Sequence, residues 1–338
     1  MSRFTRRGLF LVAGAVALAG CQSGSASSTG GAAAADGKLR IAVIPKGTTH
    51  EFWKAVHAGA EKAGKELGVE IIWKGPLKED DLKQQIDLVQ AFTAQRVSGI
   101  VLAPLNDKAL AKVVKDASRA KVPVVVIDSA LAGEEHVSFV ATDNKAAGKL
   151  AAQRMKELLP DGGKVVVLRY QEGSASTEHR EEGFLEGIQA DGIEVVSANQ
   201  YAGATTESAF AASESLLLAQ KAGEAGVNGV FCPNESTTFG MLLALRKLGL
   251  AGKIHLVGFD ASEKMIAGLK EGHIDALVLQ DPFTMGEKGV RTVVAHLKGE
   301  KLDPVVDTGS TIVDAKNMDT PEIQRLLRPD LDKWLGGG

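Results

Sequence analysis

The feature that most restricts the folds open to this chain is a repeated alternation. Short, nearly continuous apolar runs are each followed by a polar loop and then by a segment with apolar residues at helical spacing. Residues 122–127 are the plainest of these runs, almost wholly β-branched. Such a run suits a parallel strand buried on both faces, because strands with one wet face alternate apolar and polar residues. The stretch from Leu39 to Trp53, LRIAVIPKGTTHEFW, shows the whole unit: a strand over 39–44, a loop over 46–51, and the start of a helix. Phe52, Val56, Ala60, Ala63 and Leu67 then give that helix one apolar face, and Gly68 supplies the left-handed residue that ends it.

Further strands are expected at 69–73, 99–103, 122–127, 137–141, 164–168, 193–198, 229–232, 254–259 and 276–279. Helices are expected at 80–95, 107–119, from the cap Thr142-Asp143-Asn144 onward, and at 177–190, 205–221, 236–248, 262–271 and 284–297. An extended segment at 305–313 and a polar tail follow. The chain has 338 residues, beyond the ~250 to 300 at which single cores stop growing. Two successive rounds of alternation in a chain of that length predict an α/β protein with two doubly wound, Rossmann-like parallel-sheet lobes.

The first residues are of another kind. Arg3, Arg6 and Arg7 precede an apolar run over 9–19, and Leu18-Ala19-Gly20-Cys21 follows. The run is too short to span a bilayer and reads as a signal peptide over 1–20. Its end resembles a bacterial lipobox, which implies cleavage before Cys21 and a lipid anchor on that cysteine. Arg6-Arg7 ahead of Gly8-Leu9-Phe10 is similar to a twin-arginine signal, but the basic region of any signal peptide accounts for it equally, so both export routes stay open. Residues 21–37 are mostly Ser, Gly and Ala and form a flexible tether with a reach of ~20 to 24 Å. With Cys21 acylated, Cys232 is the one thiol left and no internal disulfide is expected. A net charge of −3 gives no footprint for nucleic acid.

The loops at the strand ends carry the chemistry. Lys46, Thr48, Thr49 and His50 follow the first strand, and Asp128 and Ser129 follow the fourth. Further on come Arg169-Tyr170 with Glu178-His179-Arg180, then Pro233-Asn234-Glu235, Asp260, and Gln280-Asp281. In open parallel sheets, ligands bind outside the carboxyl ends of the strands. Carboxylates, amides and guanidinium groups can each bond two neighbouring hydroxyls, and Phe52 and Trp53 offer flat faces for the C–H side of a sugar ring. Each residue alone has an ordinary reading, with Asp128, Asn234 and Asp260 as helix caps and the two aromatics as core. Their recurrence at one strand end after another is what points to a polyhydroxylated ligand.

Several segments resemble, in order over 39–313, the periplasmic sugar-binding proteins of ribose-binding type, the extracytoplasmic receptors of ABC importers. They are the first strand with Phe52-Trp53, Val125-Val126-Ile127-Asp128, Thr142-Asp143-Asn144, Val230-Phe231 with Asn234, Leu256-Val257-Gly258-Phe259-Asp260, and Leu279-Gln280 before Gly286-Glu287-Lys288-Gly289-Val290. The resemblance implies a type I periplasmic binding fold. Its N-terminal lobe would be 39–143 plus 281–308 and its C-terminal lobe 144–280 plus 309–335, joined by a three-strand hinge near 142–144, 280–282 and 308–310.

The same resemblance implies a monomeric, membrane-anchored lipoprotein in the periplasm or at the cell surface, passing a sugar or polyol to an ABC permease complex. No cofactor, metal or catalysis is expected. By position, Lys46, His50, Phe52, Trp53, Asp128 and Ser129 would meet the ligand from the first lobe, and Glu178, Arg180, Asn234, Asp260 and Gln280 from the second lobe or the hinge. Where ribose-type receptors usually place two arginines, this chain has Ser129 and Glu178. The pocket is therefore expected to set Asp128, Glu178 and Asp260 against Lys46 and Arg180, and to repel anionic sugars.

Rival functions lack their motifs. There is no G-x-G-x-x-G after a strand, no P-loop and no G-x-S-x-G elbow. Asp307-Thr308-Gly309-Ser310 matches an aspartic-protease signature but stands alone in an α/β setting. His50 and His179 lack a second histidine at i, i+4, the spacing of a helical zinc site. A repressor sharing this fold needs a basic helix-turn-helix where this chain has an export signal. A receptor that reports to a membrane signalling protein stays open as the alternative to transport.

Overall fold

The computed structural model describes residues 37–336 apart from Asp191 and the side chain of Ala225. The expected signal peptide over 1–20, Cys21 and the expected tether up to residue 36 lie outside the described residues. The first round of alternation is β1 (Arg40–Ile44), α1 (Glu51–Leu67), β2 (Glu70–Trp73), α2 (Leu82–Ala94), β3 (Gly99–Leu102), α3 (Ala111–Arg119), β4 (Val124–Ile127) and β5 (Ser138–Ala141). The second is α4 (Asn144–Leu158), β6 (Gly163–Arg169), α5 (Ala175–Gly187), β7 (Ile193–Tyr201), α6 (Thr206–Ala219), β8 (Gly229–Phe231), α7 (Glu235–Lys247), β9 (His255–Phe259), α8 (Glu263–Lys270) and β10 (Ala276–Gln280). The chain closes with α9 (Pro282–Leu297), β11 (Val305–Asp307), β12 (Ser310–Val313), α10 (Pro321–Leu327) and α11 (Asp332–Leu335).

These strands form two six-stranded sheets of the same plan. The first runs β11-β5-β4-β3-β1-β2 and is parallel throughout. The second runs β12-β10-β9-β8-β6-β7, with β12 alone antiparallel to its neighbour. The expected α/β class with two parallel-dominated sheets is therefore what the chain forms. Period-2 alternation divides each core in two. In β1, Ile41 and Val43 face α1 and α9, while Ala42 and Ile44 face α2 and α3. In the second sheet, Val165, Val167, Phe231 and Phe259 pack under α4 and α5. Val166, Val230, Cys232 and Leu256 pack under α6, α7 and α8. Both faces of both sheets are covered, which is why the strands read as unbroken apolar runs.

The chain passes from one sheet to the other after β5, after β10 and between β11 and β12. The passages are tied together: Thr142 Oγ1 donates to Gly309 O at 3.1 Å, and the Asp143 N–H to Asp307 Oδ1 at 3.2 Å. Two helix pairs approach closely enough to require glycine. A Cβ at Gly59 of α1 would lie 1.9 Å from Phe283 O of α9, and one at Gly148 of α4 would lie 2.1 Å from Arg180 O of α5.

Three elements differ from expectation. The helix foreseen from 107 starts at Ala111, because Asn106 Oδ1 accepts from Lys108 and Ala109 and holds the preceding residues in turns. The extended segment over 305–313 is two strands in two different sheets. The polar tail contains α10 and α11; Ile323 and Leu327 are buried, and Trp334 lies against Lys65 of α1.

Candidate functional site

The carboxyl ends of the strands of the two sheets face each other across a closed cleft. At their junction lies a cavity of about 20 Å³. All of the candidate residues except Ser129 and Glu178 line it, together with Glu79, Tyr170, Ser176 and Thr177.

Two carboxylates reach the cavity through unusual backbone. Asp128 directly follows β4 at φ 60°, and Asp260 directly follows β9, the strand in the matching place of the second sheet, at φ 65°. Aspartate is among the few residues that adopt this left-handed conformation readily, and strain of this kind collects at binding sites. Asp128 Oδ2 lies 2.9 Å from Lys46 Nζ, and Asp128 Oδ1 lies 4.0 Å from Arg180 Nη2. Lys46 also donates to Ser176 Oγ at 2.9 Å and Ser174 Oγ at 3.3 Å. Asp260 accepts from Gln280 Nε2 at 2.7 Å and from the Glu235 N–H at 3.1 Å.

Arg180 is among the largest fully buried side chains in the protein. Its Nε donates to Asn144 Oδ1 at 2.7 Å and its Nη1 to Pro233 O at 2.9 Å, and the guanidinium lies 4.4 Å from the centre of the Phe259 ring. Asn234 caps α7 through Oδ1, which accepts from the Thr237 N–H and hydroxyl, while the residue itself borders the cavity. Phe52 and Trp53 meet edge to face with centroids 4.8 Å apart. Both belong to the core and both line the cavity, so core packing does not keep them from its wall.

Ser129 and Glu178 are not brought to the cavity. Ser129 Oγ accepts from the Ser176 N–H at 3.0 Å, a contact that spans the cleft. Glu178 accepts from the Gly173 N–H at 2.6 Å and closes its own loop. Residues two apart on a helix point in different directions, and here Arg180 takes the inward one. The expected acidic excess therefore loses one member and needs correction.

The correction is larger because Glu79, from the loop after β2, enters the cluster. Glu79 Oε1 accepts from His50 Nδ1 at 2.7 Å and Trp53 Nε1 at 2.7 Å, and Oε2 from the Tyr170 hydroxyl at 2.8 Å. Burial alone favours neutral His50, but the adjoining Glu79 carboxylate outweighs it and raises the imidazole to about 9. Burial likewise works against ionised Glu79, but the charges of His50 and Lys46 hold it at about 2. Glu235, which accepts from the Glu51 and Phe52 N–H groups at 3.3 Å each, is pushed by burial to about 7. Asp260 is also raised, by burial, against the pull of Arg180 and Gln280. The site thus sets Lys46, Arg180 and His50 against Asp128 and Glu79, with burial drawing Asp260 and Glu235 toward their neutral forms. It is close to internally neutral.

Glu79 stands in the run Lys78-Glu79-Asp80-Asp81, which looks like a solvated loop, and nothing local marks it. Tyr170 and Glu235 do stand at strand ends, and that position is the signal that could have singled them out. Among the described residues, no group of three His, Cys, Asp or Glu could hold a metal ion, and no helix is long and apolar enough to cross a membrane.

A family model described as a periplasmic binding protein domain matches residues 41–301. Among curated proteins, the chain is 29% identical to the ribose import binding protein of Salmonella typhimurium, over 78% of this chain and 87% of that protein. It is also 29% identical to the D-ribose/D-allose-binding protein of Pseudomonas aeruginosa, over 82% and 89%. Among solved structures, it is similar to an ABC transporter solute binding protein from Agrobacterium vitis with bound D-fucose, at 36% identity and a TM-score of 0.80, over 86% of this chain and 100% of that one. A carbohydrate transporter solute binding protein from Agrobacterium radiobacter in complex with D-arabinose is 34% identical with a TM-score of 0.81, over 86% and 99%.

Proposed function

Because this chain belongs to the periplasmic binding protein domain family, we propose that it is an extracytoplasmic solute-binding protein that captures a neutral monosaccharide between its two halves and delivers it to an ABC permease. The observation that carries this reading is a set of unmet hydrogen-bonding needs. Arg180 Nη2, Gln280 Oε1 and Asp128 Oδ2 are buried side-chain atoms without a hydrogen-bond partner, Asp128 Oδ2 having only its ionic contact with Lys46. Buried polar atoms are normally satisfied, and each that is not costs ~1 to 3 kcal/mol. These are one donor and two acceptors bordering one cavity, the complement of neighbouring hydroxyls.

Neutrality follows from the charge balance, not from an acidic excess. A charged ligand would leave one charge unpaired in a site whose own charges already compensate. The cavity of about 20 Å³ has room for about one water, so a sugar enters only when the halves separate. A groove of about 790 Å³ that shares His50, Phe52, Asp260 and Gln280 with the cavity forms the approach.

The two sheets serve as lobes 39–143 plus 281–308 and 144–280 plus 309–335, with the passages near 142–144, 280–282 and 308–310 as the hinge, although α11 at the end of the last stretch reaches back to pack on α1 of the first lobe. The protein acts as a monomer without catalysis, held at the membrane through Cys21. Two of the relatives named above are a ribose import binding protein and a D-ribose/D-allose-binding protein, and the two solved structures hold D-fucose and D-arabinose, which supports the ligand class. The test is a thermal-shift panel of D-ribose, D-arabinose, D-allose and D-fucose beside amino sugars, sugar acids and sugar phosphates. A neutral monosaccharide is expected to stabilise the protein, by ~2.7 kcal/mol at a hundred times its Kd. Stabilisation by an acid or phosphate alone, or by nothing in the panel, contradicts the reading.

A further inference from the structure

Glu79 holds a place that the ligand reading does not by itself require. It lies in the loop between β2 and α2 of the first sheet's half and is 5% exposed. Its carboxylate accepts three hydrogen bonds of two kinds. His50 and Trp53 come from its own side of the cleft, at the entry to α1. Tyr170 comes from the opposite side, just past β6, and is wholly buried. The neighbouring Gln171 Nε2 also donates across the cleft, to Glu79 O at 3.0 Å. We propose that Glu79 is a positioning residue for ligand capture: one carboxylate fixes His50 and Trp53 on the first half and accepts Tyr170 from the second as the cleft closes. This rests on the reading of the cavity as a sugar site.

The chemistry follows from which atoms are engaged. With Nδ1 bound to a carboxylate, a protonated His50 has only Nε2–H left and can only donate. Glu79 thus settles what His50 offers a ligand oxygen, and its bond from Nε1 holds Trp53, which meets Phe52 edge to face, in one orientation. The Tyr170 bond exists only while the two halves are together, so it favours the closed state by its differential contact. A carboxylate accepting a neutral hydroxyl and an imidazolium at once makes charge-assisted bonds of the stronger class. His50 is also faced by Glu235 from the start of α7 and by Asp260 after β9, Glu79 by Lys46, and Tyr170 by Asp128 and Asp80. These groups all remain when Glu79 alone is changed.

The experiment compares wild type, Glu79→Gln and Tyr170→Phe by NMR titration of the histidine side chains without any sugar, and by calorimetry with a sugar the wild type binds, D-arabinose being the first probe. His50 in the wild type should hold its proton well above the ordinary histidine range, because Glu79 lies on the same side of the cleft and stays beside it when the halves separate. In the closed structure the imidazole is raised to about 9. In Glu79→Gln, with burial no longer opposed by that carboxylate, it should lose its proton near or below pH ~7. The affinity of that variant should fall by about ten-fold or more at pH ~7.5. Tyr170→Phe should leave the His50 titration unchanged and weaken binding about three- to ten-fold. A merely structural role would not separate the two variants in this way.

The proposal is overturned by a His50 in Glu79→Gln that titrates where the wild type's does, or by a shifted His50 with unchanged affinity. Wild-type affinity in Tyr170→Phe overturns the cross-cleft role. If the wild type binds no sugar, the sugar reading fails on its own, and the His50 titration alone decides whether Glu79 holds the imidazole.

Discussion

Arg180→Met is expected to abolish sugar binding and to lower the unfolding free energy by ~3 to 5 kcal/mol, the range for removing one partner from a buried charged network. The side chain is 2% exposed, and its bonds to Asn144 Oδ1 and Pro233 O and its position over Phe259 all lie inside the protein. Methionine fills much of the volume but leaves those two oxygens unpaired and Asp128 and Asp260 without their nearest buried guanidinium. The α4 and α5 backbones, in contact at Gly148, leave no room for the helix to shift and compensate. Urea unfolding monitored by far-UV dichroism measures the stability loss, and calorimetry the binding. A variant as stable as wild type would mean that the network contributes little to the fold.

Asp128→Asn should weaken binding by roughly ten-fold to a hundred-fold while the fold persists, since a hydrogen bond accepted by an ionised carboxylate contributes ~1.5 to 3 kcal/mol. Asparagine tolerates the left-handed conformation at φ 60° and keeps the shape of the side chain. The bond from Asn144 Nδ2 to Asp128 O involves only the backbone of residue 128 and survives. What changes is charge: Lys46 loses the carboxylate 2.9 Å away, and the acceptor with no aligned donor becomes an amide. Unchanged affinity by calorimetry would reduce Asp128 to a turn residue.

Much of this site could be read in the sequence because its signals are local. Val125-Val126-Ile127-Asp128 and Leu256-Val257-Gly258-Phe259-Asp260 each set an apolar strand against a carboxylate at its end, and in a parallel sheet that place faces the ligand. Gln280 and Lys46 follow by the same logic. Asn234 is both the helix cap of α7 and a cavity residue, so the two readings were never exclusive.

The parts that were not legible depend on contacts distant in sequence. Glu79 acquires its role only when the loop after β2 swings under His50 and Tyr170, 91 residues further on, closes over it. Glu178 failed for the opposite reason, since a bond to Gly173 five residues earlier turns it away. The charge balance inherited both errors. Short α10 and α11 escape a search for helical periodicity because one or two turns show no repeat, and packing against larger elements stabilises them.

Capture of a sugar between the two halves requires them to separate and close. Small-angle X-ray scattering of the wild-type protein, with and without a saturating sugar from the thermal-shift panel, tests it most directly. Hinged closure predicts a larger radius of gyration without sugar and a decrease on saturation toward the value calculated from this closed structure. An identical radius in the two states, with binding established by calorimetry in the same samples, would rule out hinged closure.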